Sequence, residues 1–136
     1  MAITYINGNL LDTNIHYIVH CISSDAVANA GVARSIRKKF GLPRMDQYAN
    51  QLSIGRAYRD GRIINLITKK FYYNKPTYES ISKSLCDLNE KCQQHNIQEI
   101  AMPCIGSGLD KLQWDKVANI IEQVLTYPQV YVYRFR

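Results

Sequence analysis

The sequence lacks any apolar run near the roughly 20 residues that a membrane-spanning helix requires. Its start, Met1 to Tyr5, has no basic region followed by an apolar stretch, so no secretory signal is visible. The cysteines form no CxxC pair, and none lies at zinc-ligand spacing from a histidine: Cys21, Cys86, Cys92 and Cys104. We therefore expect reduced thiols, no metal, no cofactor, no membrane contact and a cytoplasmic or nuclear location.

The sequence also lacks internal repeats, low-complexity segments and Pro/Ser-rich linkers. Its 136 residues, 46% of them apolar, suit one domain spanning 1–136. Seventeen Lys and Arg against eleven Asp and Glu give a net charge of +6, which favours an anionic partner. The basic residues cluster at 34–44 and 69–75, but no helix-turn-helix signature or aromatic-interleaved stacking pattern is evident.

Strand-like and helix-like segments alternate along the chain. Strands are predicted at Ile3 to Ile6, Tyr17 to Ile22, Ala57 to Arg59, Ile63 to Thr68, Ile97 to Met102 and Val130 to Phe135. Helices are predicted at Ala30 to Phe40 and at Trp114 to Leu125, and Pro76 is predicted to start a further long helix near Thr77. Asp60-Gly61 predicts a two-residue hairpin turn, and Gly41 with Pro43 predicts the end of the first helix. We predict a three-layer α/β/α domain around a mixed sheet, with ligands bound beyond the carboxyl ends of the strands.

The loop Gly106 to Asp110 follows an apolar strand and precedes an amphipathic helix. Glycines let backbone N–H groups approach a phosphate, and a helix N-terminus adds positive potential. A carboxylate such as Asp110 beside a phosphate is unfavourable because the two negative charges repel each other. Its presence there therefore favours a chemical role for Asp110. The alternative is that Asp110 only orders the loop through backbone hydrogen bonds.

Two further segments are predicted to meet this loop. The small-residue loop between Cys21 and Ala33 would let a ligand approach the backbone, although a plain strand–helix connection also explains it. Lys69 at a strand end could point into the cleft, although Lys69 and Lys70 taken alone are better explained as two surface lysines. We assign His20 and Trp114 to structure, and we expect His16 and His95 at the surface.

Taken together, the motifs resemble a macrodomain of the terminal ADP-ribose protein glycohydrolase type. The resemblance runs nearly end to end, in order, through Gly8-Asn9-Leu10-Leu11, His20-Cys21-Ile22-Ser23, Lys38-Lys39-Phe40-Gly41, Arg59-Asp60-Gly61-Arg62, Leu66-Ile67-Thr68-Lys69-Lys70, Lys75-Pro76-Thr77-Tyr78-Glu79, Met102-Pro103 and Gly106-Ser107-Gly108-Leu109-Asp110-Lys111-Leu112-Gln113-Trp114. Within this set, the Ile-Thr-Lys-Lys and Gly-Leu-Asp-x-Leu-Gln-Trp segments together are specific.

The resemblance implies a macrodomain fold with ADP-ribose in its cleft. Asn9 and Leu10 would lie near adenine, and the Gly31 and Ile105 to Leu109 loops would hold the phosphates. The implied ligand-contacting residues are Asn9, Leu10, Ser23, Asp25, Asn29, Gly31, Val32, Ile105, Gly106, Ser107, Gly108 and Leu109. Lys69 would attack the anomeric carbon and Asp110 would resolve the lysyl adduct. The lysine must be unprotonated, which burial or a neighbouring cation such as Lys70 favours.

Two departures from the family pattern bear on the substrate. The family usually has Asp where this chain has Asn9, and often has glycine where it has Asn29. The implied function is an ADP-ribosyl hydrolase acting on a protein Glu or Asp ester, O-acetyl-ADP-ribose or a nucleic-acid base. The alternatives are a non-catalytic ADP-ribose reader and an ADP-ribose 1''-phosphate phosphatase. The expected partners are ADP-ribose and ADP-ribosylated protein or nucleic acid, bound by a monomer.

Overall fold

The computed structural model describes residues 3–134 and contains one six-stranded mixed sheet. The strands are β1 (Thr4–Asn7), β2 (Tyr17–Ser23), β3 (Ala57–Asp60), β4 (Ile63–Lys69), β5 (Glu99–Met102) and β6 (Gln129–Arg134). The helices are α1 (Gly31–Phe40), α2 (Pro43–Gln47), α3 (Tyr78–Gln94) and α4 (Trp114–Val124), with a 3₁₀ turn at Leu10–Asp12. The predicted alternation of strands and helices is therefore confirmed.

The strand order is β1-β6-β5-β2-β4-β3, and only the β3–β4 pair among these is antiparallel. Two apolar clusters cover the two faces of the sheet. One cluster contains Ile81 and Leu85 of α3 with Ile121 of α4, and the other contains Ile36 of α1 with Met45 of α2. This arrangement confirms the predicted three-layer α/β/α fold with a mixed sheet.

Two predicted turns differ in detail from the structure. Asp60 still pairs with Ile63, so the hairpin turn is Gly61-Arg62 rather than Asp60-Gly61. The carboxylate of Asp60 accepts from the backbone N–H groups of Arg44 and Met45, which keeps Asp60 in the strand. Pro43 ends the α1 segment but also begins α2, because proline suits the first turn of a helix.

The remaining differences are at element ends. Pro76 precedes the cap of α3 rather than lying in its first turn, because Thr77 is the N-cap residue. The strand predicted from Ile97 begins at Glu99. Phe135, predicted to belong to the last strand, lies outside the described residues. Within 3–134, no helix has the length and hydropathy needed to span a membrane.

Candidate active site

A cleft of about 800 Å³ opens at the carboxyl edge of the sheet. Its walls are the loop after β2, the end of β4 with the turn that follows, and the loop after β5. The structure therefore brings together the three segments that the sequence singled out. The predicted site residues that line this cleft are Ser23, Asn29, Gly31, Val32, Lys69, Ile105, Gly106, Gly108, Leu109 and Asp110.

Lys69 is the last residue of β4 and lies at an irregularity in the sheet. Ile22 pairs with Ile67, whereas Ser23 pairs with Lys69, so β4 accommodates one extra residue there. A bulge of this kind bends a strand and re-aims the side chain beside it. The backbone stays anchored, because Lys69 O accepts from Ser24 N at 2.9 Å. The lysine side chain therefore projects from a fixed position.

Lys69 Nζ donates to Asp110 Oδ1 at 3.0 Å, across 41 residues of sequence. The two side chains are only 15% and 18% exposed, so solvent screens this pair less than a surface pair. Lys70 is not the partner of Lys69: it is exposed, with Nζ 5.2 Å from the Phe71 ring centroid. The cleft therefore pairs a potential nucleophile with a potential proton acceptor.

The loop after β2 leads into α1 through backbone conformations that are unusual for L-residues. Ala26, Ala28 and Gly31 have φ angles of 57°, 44° and 59°. Ala30 precedes α1 and contributes no side-chain cap, so the first N–H groups of the helix have no partner from a capping side chain. Asn29 is exposed within this loop. This helix N-terminus suits an anion such as a phosphate.

The loop after β5 faces the Gly31 loop across the cleft. A Cβ built at Gly31 would lie 3.3 Å from Leu109 Cδ1, which shows how closely the two loops approach. Gly106 has a φ of 76°, and its carbonyl accepts from Leu112 N at 2.7 Å. Lys75 Nζ donates to Leu109 O at 2.8 Å, which ties the loop to the segment after β4.

A second cavity of about 430 Å³ continues the cleft and shares Val32, Pro103 and Cys104 with it. The predicted adenine residues Asn9 and Leu10 both line this cavity. Asn9 Oδ1 accepts from Leu11 N at 3.0 Å and caps the 3₁₀ turn. The amide nitrogen and the second Oδ1 lone pair of Asn9 remain for a ligand.

Asp25 and Ser107, the other two predicted ligand contacts, do not line either cavity. Asp25 accepts from the Ser23 hydroxyl and from Tyr72 N at 3.0 Å, and Ser107 Oγ donates to Cys104 O at 2.8 Å. Burial opposes ionisation of Asp25, but these hydrogen bonds and the Lys69 charge outweigh it and hold its pKa below the usual value. Both side chains order the loops that surround the cleft.

Two further titratable side chains in the cleft wall stay neutral near pH 7. Burial, reinforced by the Asp110 charge and opposed by Lys69, raises the pKa of Cys21 to about 12. Burial also lowers the pKa of His20 to about 4, against the effect of its 2.7 Å hydrogen bond to Asn65 Oδ1. The predicted structural role of His20 fits this contact. Across 3–134, no group of three His, Cys, Asp or Glu residues could hold a metal ion.

Several lining residues were not predicted from the sequence: Cys21, Tyr72, Lys75, Pro103, Cys104 and Lys111. Tyr72 and Lys75 lie in the run Lys-Lys-Phe-Tyr-Tyr-Asn-Lys that begins at Lys69. The three consecutive aromatic residues between lysines, close to a candidate nucleophile, are the signal that could have found them.

Comparisons with known proteins agree with this architecture. The chain is 42% identical over 126 residues to the ADP-ribose glycohydrolase OARD1 of Bos taurus, covering 90% of this chain and 83% of that protein. It is 27% identical to a DNA ADP-ribosyl glycohydrolase of Thermus aquaticus, covering 89% of this chain but 37% of that protein. The solved macrodomain of Thermus aquaticus DarG superposes with a TM-score of 0.84 at 26% identity over 97% of both chains. Since the Macro domain model also matches residues 19–121, this chain belongs to the macrodomain family.

Proposed function

We propose that this chain is an ADP-ribosyl hydrolase that releases ADP-ribose from an acceptor through Lys69 and Asp110. The observation that carries this proposal is the 3.0 Å contact between Lys69 Nζ and Asp110 Oδ1 within the cleft. The relative named ADP-ribose glycohydrolase, which aligns with most of the chain, supports the same activity.

The two connected cavities suit the parts of ADP-ribose. The adenine would occupy the cavity beside Asn9 and Leu10, and the two phosphates would lie between the α1 N-terminus and the Gly106 loop. The distal ribose would then reach Lys69 and Asp110 at the far end of the cleft. The net charge of +6 favours a ligand with two phosphates.

The proposed reaction has two steps, written here for an ester. Lys69 Nζ, after giving a proton to Asp110, attacks the anomeric carbon, and the bond from that carbon to the acceptor oxygen breaks. The acceptor leaves as a carboxylate, and the nitrogen releases a second proton to solvent as the lysyl adduct forms. Asp110 then returns its proton to that nitrogen, and the resulting carboxylate deprotonates a water that adds to the anomeric carbon. The carbon–nitrogen bond breaks, ADP-ribose is released, and the lysine amine takes back the proton from Asp110.

The two departures from the family pattern act at opposite ends of the ligand. Asn9 retains a carbonyl acceptor, which is already bonded to Leu11 N, so we expect weaker adenine recognition than a carboxylate provides. Asn29 is exposed in the cleft wall and would narrow the distal pocket or donate a hydrogen bond there. Asn29 therefore bears on the choice of acceptor.

The alternative function is a non-catalytic reader, and the closed ion pair is the observation that favours it. In a reader, Lys69 would stay bonded to Asp110 and would only contribute charge to binding. Both functions predict affinity for ADP-ribose, so turnover separates them.

The test compares the wild type with Lys69→Ala and a matched control, Lys38→Ala, an exposed lysine on α1 outside both cavities. ADP-ribose release from a glutamate-ADP-ribosylated peptide and calorimetric binding of free ADP-ribose are both measured. We expect Lys69→Ala to lose turnover by on the order of 10³-fold while ADP-ribose still binds. Undiminished turnover in Lys69→Ala would reject the lysine mechanism. ADP-ribose binding by a wild type that turns over neither this peptide nor a base-ADP-ribosylated oligonucleotide would favour the reader.

A further inference from the structure

The segment Phe71–Lys75 forms an aromatic turn at the mouth of the cleft. Tyr72 lines the cleft and is 49% exposed, whereas Tyr73 lies outside the lining residues and is 66% exposed. Large aromatic side chains this exposed and this close together at a cleft entrance indicate a binding surface.

The turn is held in place by its own hydrogen bonds. Phe71 N donates to Asn74 Oδ1 and Asn74 N donates to Phe71 O, both at 2.9 Å. Tyr72 N donates to Asp25 Oδ2 at 3.0 Å, which fastens the turn to the loop after β2. The rings are therefore presented from an ordered backbone, so binding to them costs less ordering entropy.

The three aromatic rings of the turn are arranged so that a planar group of a ligand could stack on them. The Phe71 and Tyr73 centroids are 5.3 Å apart at an interplanar angle of 7°, and Tyr72 meets Tyr73 edge-on at 5.4 Å and 87°. Phe71 stacks against one face of Tyr73, and Tyr73 is 66% exposed, so much of its ring is accessible to solvent. A nucleobase stacked there would extend the Phe71–Tyr73 stack by one layer.

The charge around the rings is positive. Lys70 Nζ lies 5.2 Å from the Phe71 centroid, Lys75 lies at the other end of the turn, and Lys111 lines the cleft. The nearby carboxylates are engaged: Asp25 accepts three hydrogen bonds and Asp110 is paired with Lys69. Stacking faces beside lysines suit a base and the phosphate attached to it.

We propose that the Phe71–Lys75 turn binds single-stranded nucleic acid that carries the ADP-ribosyl group. The base next to the modified nucleotide stacks on Tyr73, and Lys70 contacts the adjacent phosphate. This inference rests on the proposed function and adds the class of acceptor to it. A peptide carrying ADP-ribose on a glutamate has no flat ring at its point of attachment, so it leaves the Tyr73 face unused.

The first test measures binding of a short fluorescein-labelled oligothymidylate by anisotropy. Tyr73→Ala should weaken binding about tenfold, Tyr73→Phe should retain it, and Tyr48→Ala, an exposed tyrosine outside the cleft, should leave it unchanged. Lys70→Ala should reduce the slope of log Kd against log salt concentration by about 0.7, the contribution of one phosphate contact. Equal affinity of wild type and Tyr73→Ala, or no binding by either, would overturn the proposal.

The second test compares turnover of a base-ADP-ribosylated oligonucleotide with that of a glutamate-ADP-ribosylated peptide. We expect Tyr73→Ala to raise KM about tenfold for the oligonucleotide, with kcat unchanged, and to leave the peptide reaction unaffected. Peptide turnover with no Tyr73 effect on the oligonucleotide would reject the acceptor surface and keep the hydrolase. Tyr73-dependent oligonucleotide binding without turnover of either substrate would reject the hydrolase and keep the nucleic-acid-binding surface. An equal loss on both substrates would show that the turn only shapes the cleft, contrary to the proposal.

Discussion

At the scale of single residues, the proposed mechanism gives Lys69 and Asp110, which are in contact, different tasks. In that mechanism Lys69 makes the covalent bond, whereas the Asp110 carboxylate moves protons in both steps. Replacing Asp110 by Asn keeps the size of the side chain but removes its basicity. We therefore expect Asp110→Asn to slow turnover by about 10² to 10⁴-fold and to accumulate the lysyl adduct, as measured in quenched single-turnover reactions. Loss of turnover without any adduct would assign Asp110 to the first step alone.

His20 gives a prediction about stability and pH. Its folded-state pKa of about 4 lies below the usual 6.5, because burial opposes the charged ring. Between these two values the unfolded chain binds the extra proton, so the free energy of unfolding falls as pH falls. The slope from this one residue reaches about 1.4 kcal/mol per pH unit. Urea unfolding at pH 7.5, 5.5 and 4.5, spanning roughly the usual pKa and the lowered one, measures it.

The exposed His16 provides the control for His20. His20→Gln should remove that part of the pH dependence of unfolding, although it also lowers stability at neutral pH. His16→Gln should retain the full slope. Identical slopes in the two variants would show that His20 titrates normally in the folded protein.

At the scale of elements, the N-terminus of α3 is fastened to β4, the strand that ends at Lys69. Thr77 Oγ1 accepts from Ser80 N, and Ser80 Oγ accepts from Thr77 N and donates to Thr68 O at 2.7 Å. We expect Thr77→Ala to lower the free energy of unfolding by about 1 kcal/mol, measured by urea denaturation. Thr77→Ser retains the capping oxygen and should stay near the wild type. A neutral Thr77→Ala variant would show that water replaces the cap.

The loop after β5 contains two glycines, Gly106 and Gly108, that differ in how well they would tolerate a side chain. A Cβ at Gly106 would lie 2.8 Å from Ile81 Cδ1, and its φ of 76° disfavours a side chain. We expect Gly106→Ala to lower the free energy of unfolding by about 2 kcal/mol, whereas Gly108→Ala, with open space around its Cβ, should not. Thermal unfolding of both variants measures the difference.

Gly108→Glu tests the proposed phosphate-binding role of the same loop. The space around Gly108 allows the variant to fold, but the added carboxylate would meet the phosphates of the ligand. We expect an unchanged melting temperature and a loss of ADP-ribose binding in calorimetry. Retained ADP-ribose binding would show that the phosphates of the ligand do not bind against this loop.

These elements show which local features the sequence can predict. The helix ends at Thr77 and Gly41 and the strand β4 are visible in the sequence, because capping residues and a short apolar run are local signals. The turn residues Gly61-Arg62 and the helix α2 were misplaced or missed because Asp60 bonds to Arg44 N and Met45 N, a contact across 15 or more residues. Local patterns contain no information about such contacts.

At the scale of the whole molecule, the site depends on a strand order that the sequence does not show. β2 lies between β4 and β5, so the ends of three strands that are distant in sequence meet at one edge. Lys69 and Asp110 could be named as candidates from the family motifs, but their pairing follows from this order and from the bulge beside Ser23. The run of aromatic residues between lysines is visible in the sequence, but the exposure and ring stacking that mark it as a binding surface are properties of the folded chain.

The most direct test of the account is to trap the lysyl adduct and locate it. The wild type and Asp110→Asn are mixed with a glutamate-ADP-ribosylated peptide and cyanoborohydride, which reduces the ring-opened imine form of the lysyl adduct to a stable amine. The digested protein is then analysed by mass spectrometry. We predict one reduced ADP-ribosyl adduct, on the peptide that contains Lys69, and none in Lys69→Ala. Turnover by the wild type with no adduct, or with the adduct on another lysine, would contradict the assignment of Lys69 as the nucleophile.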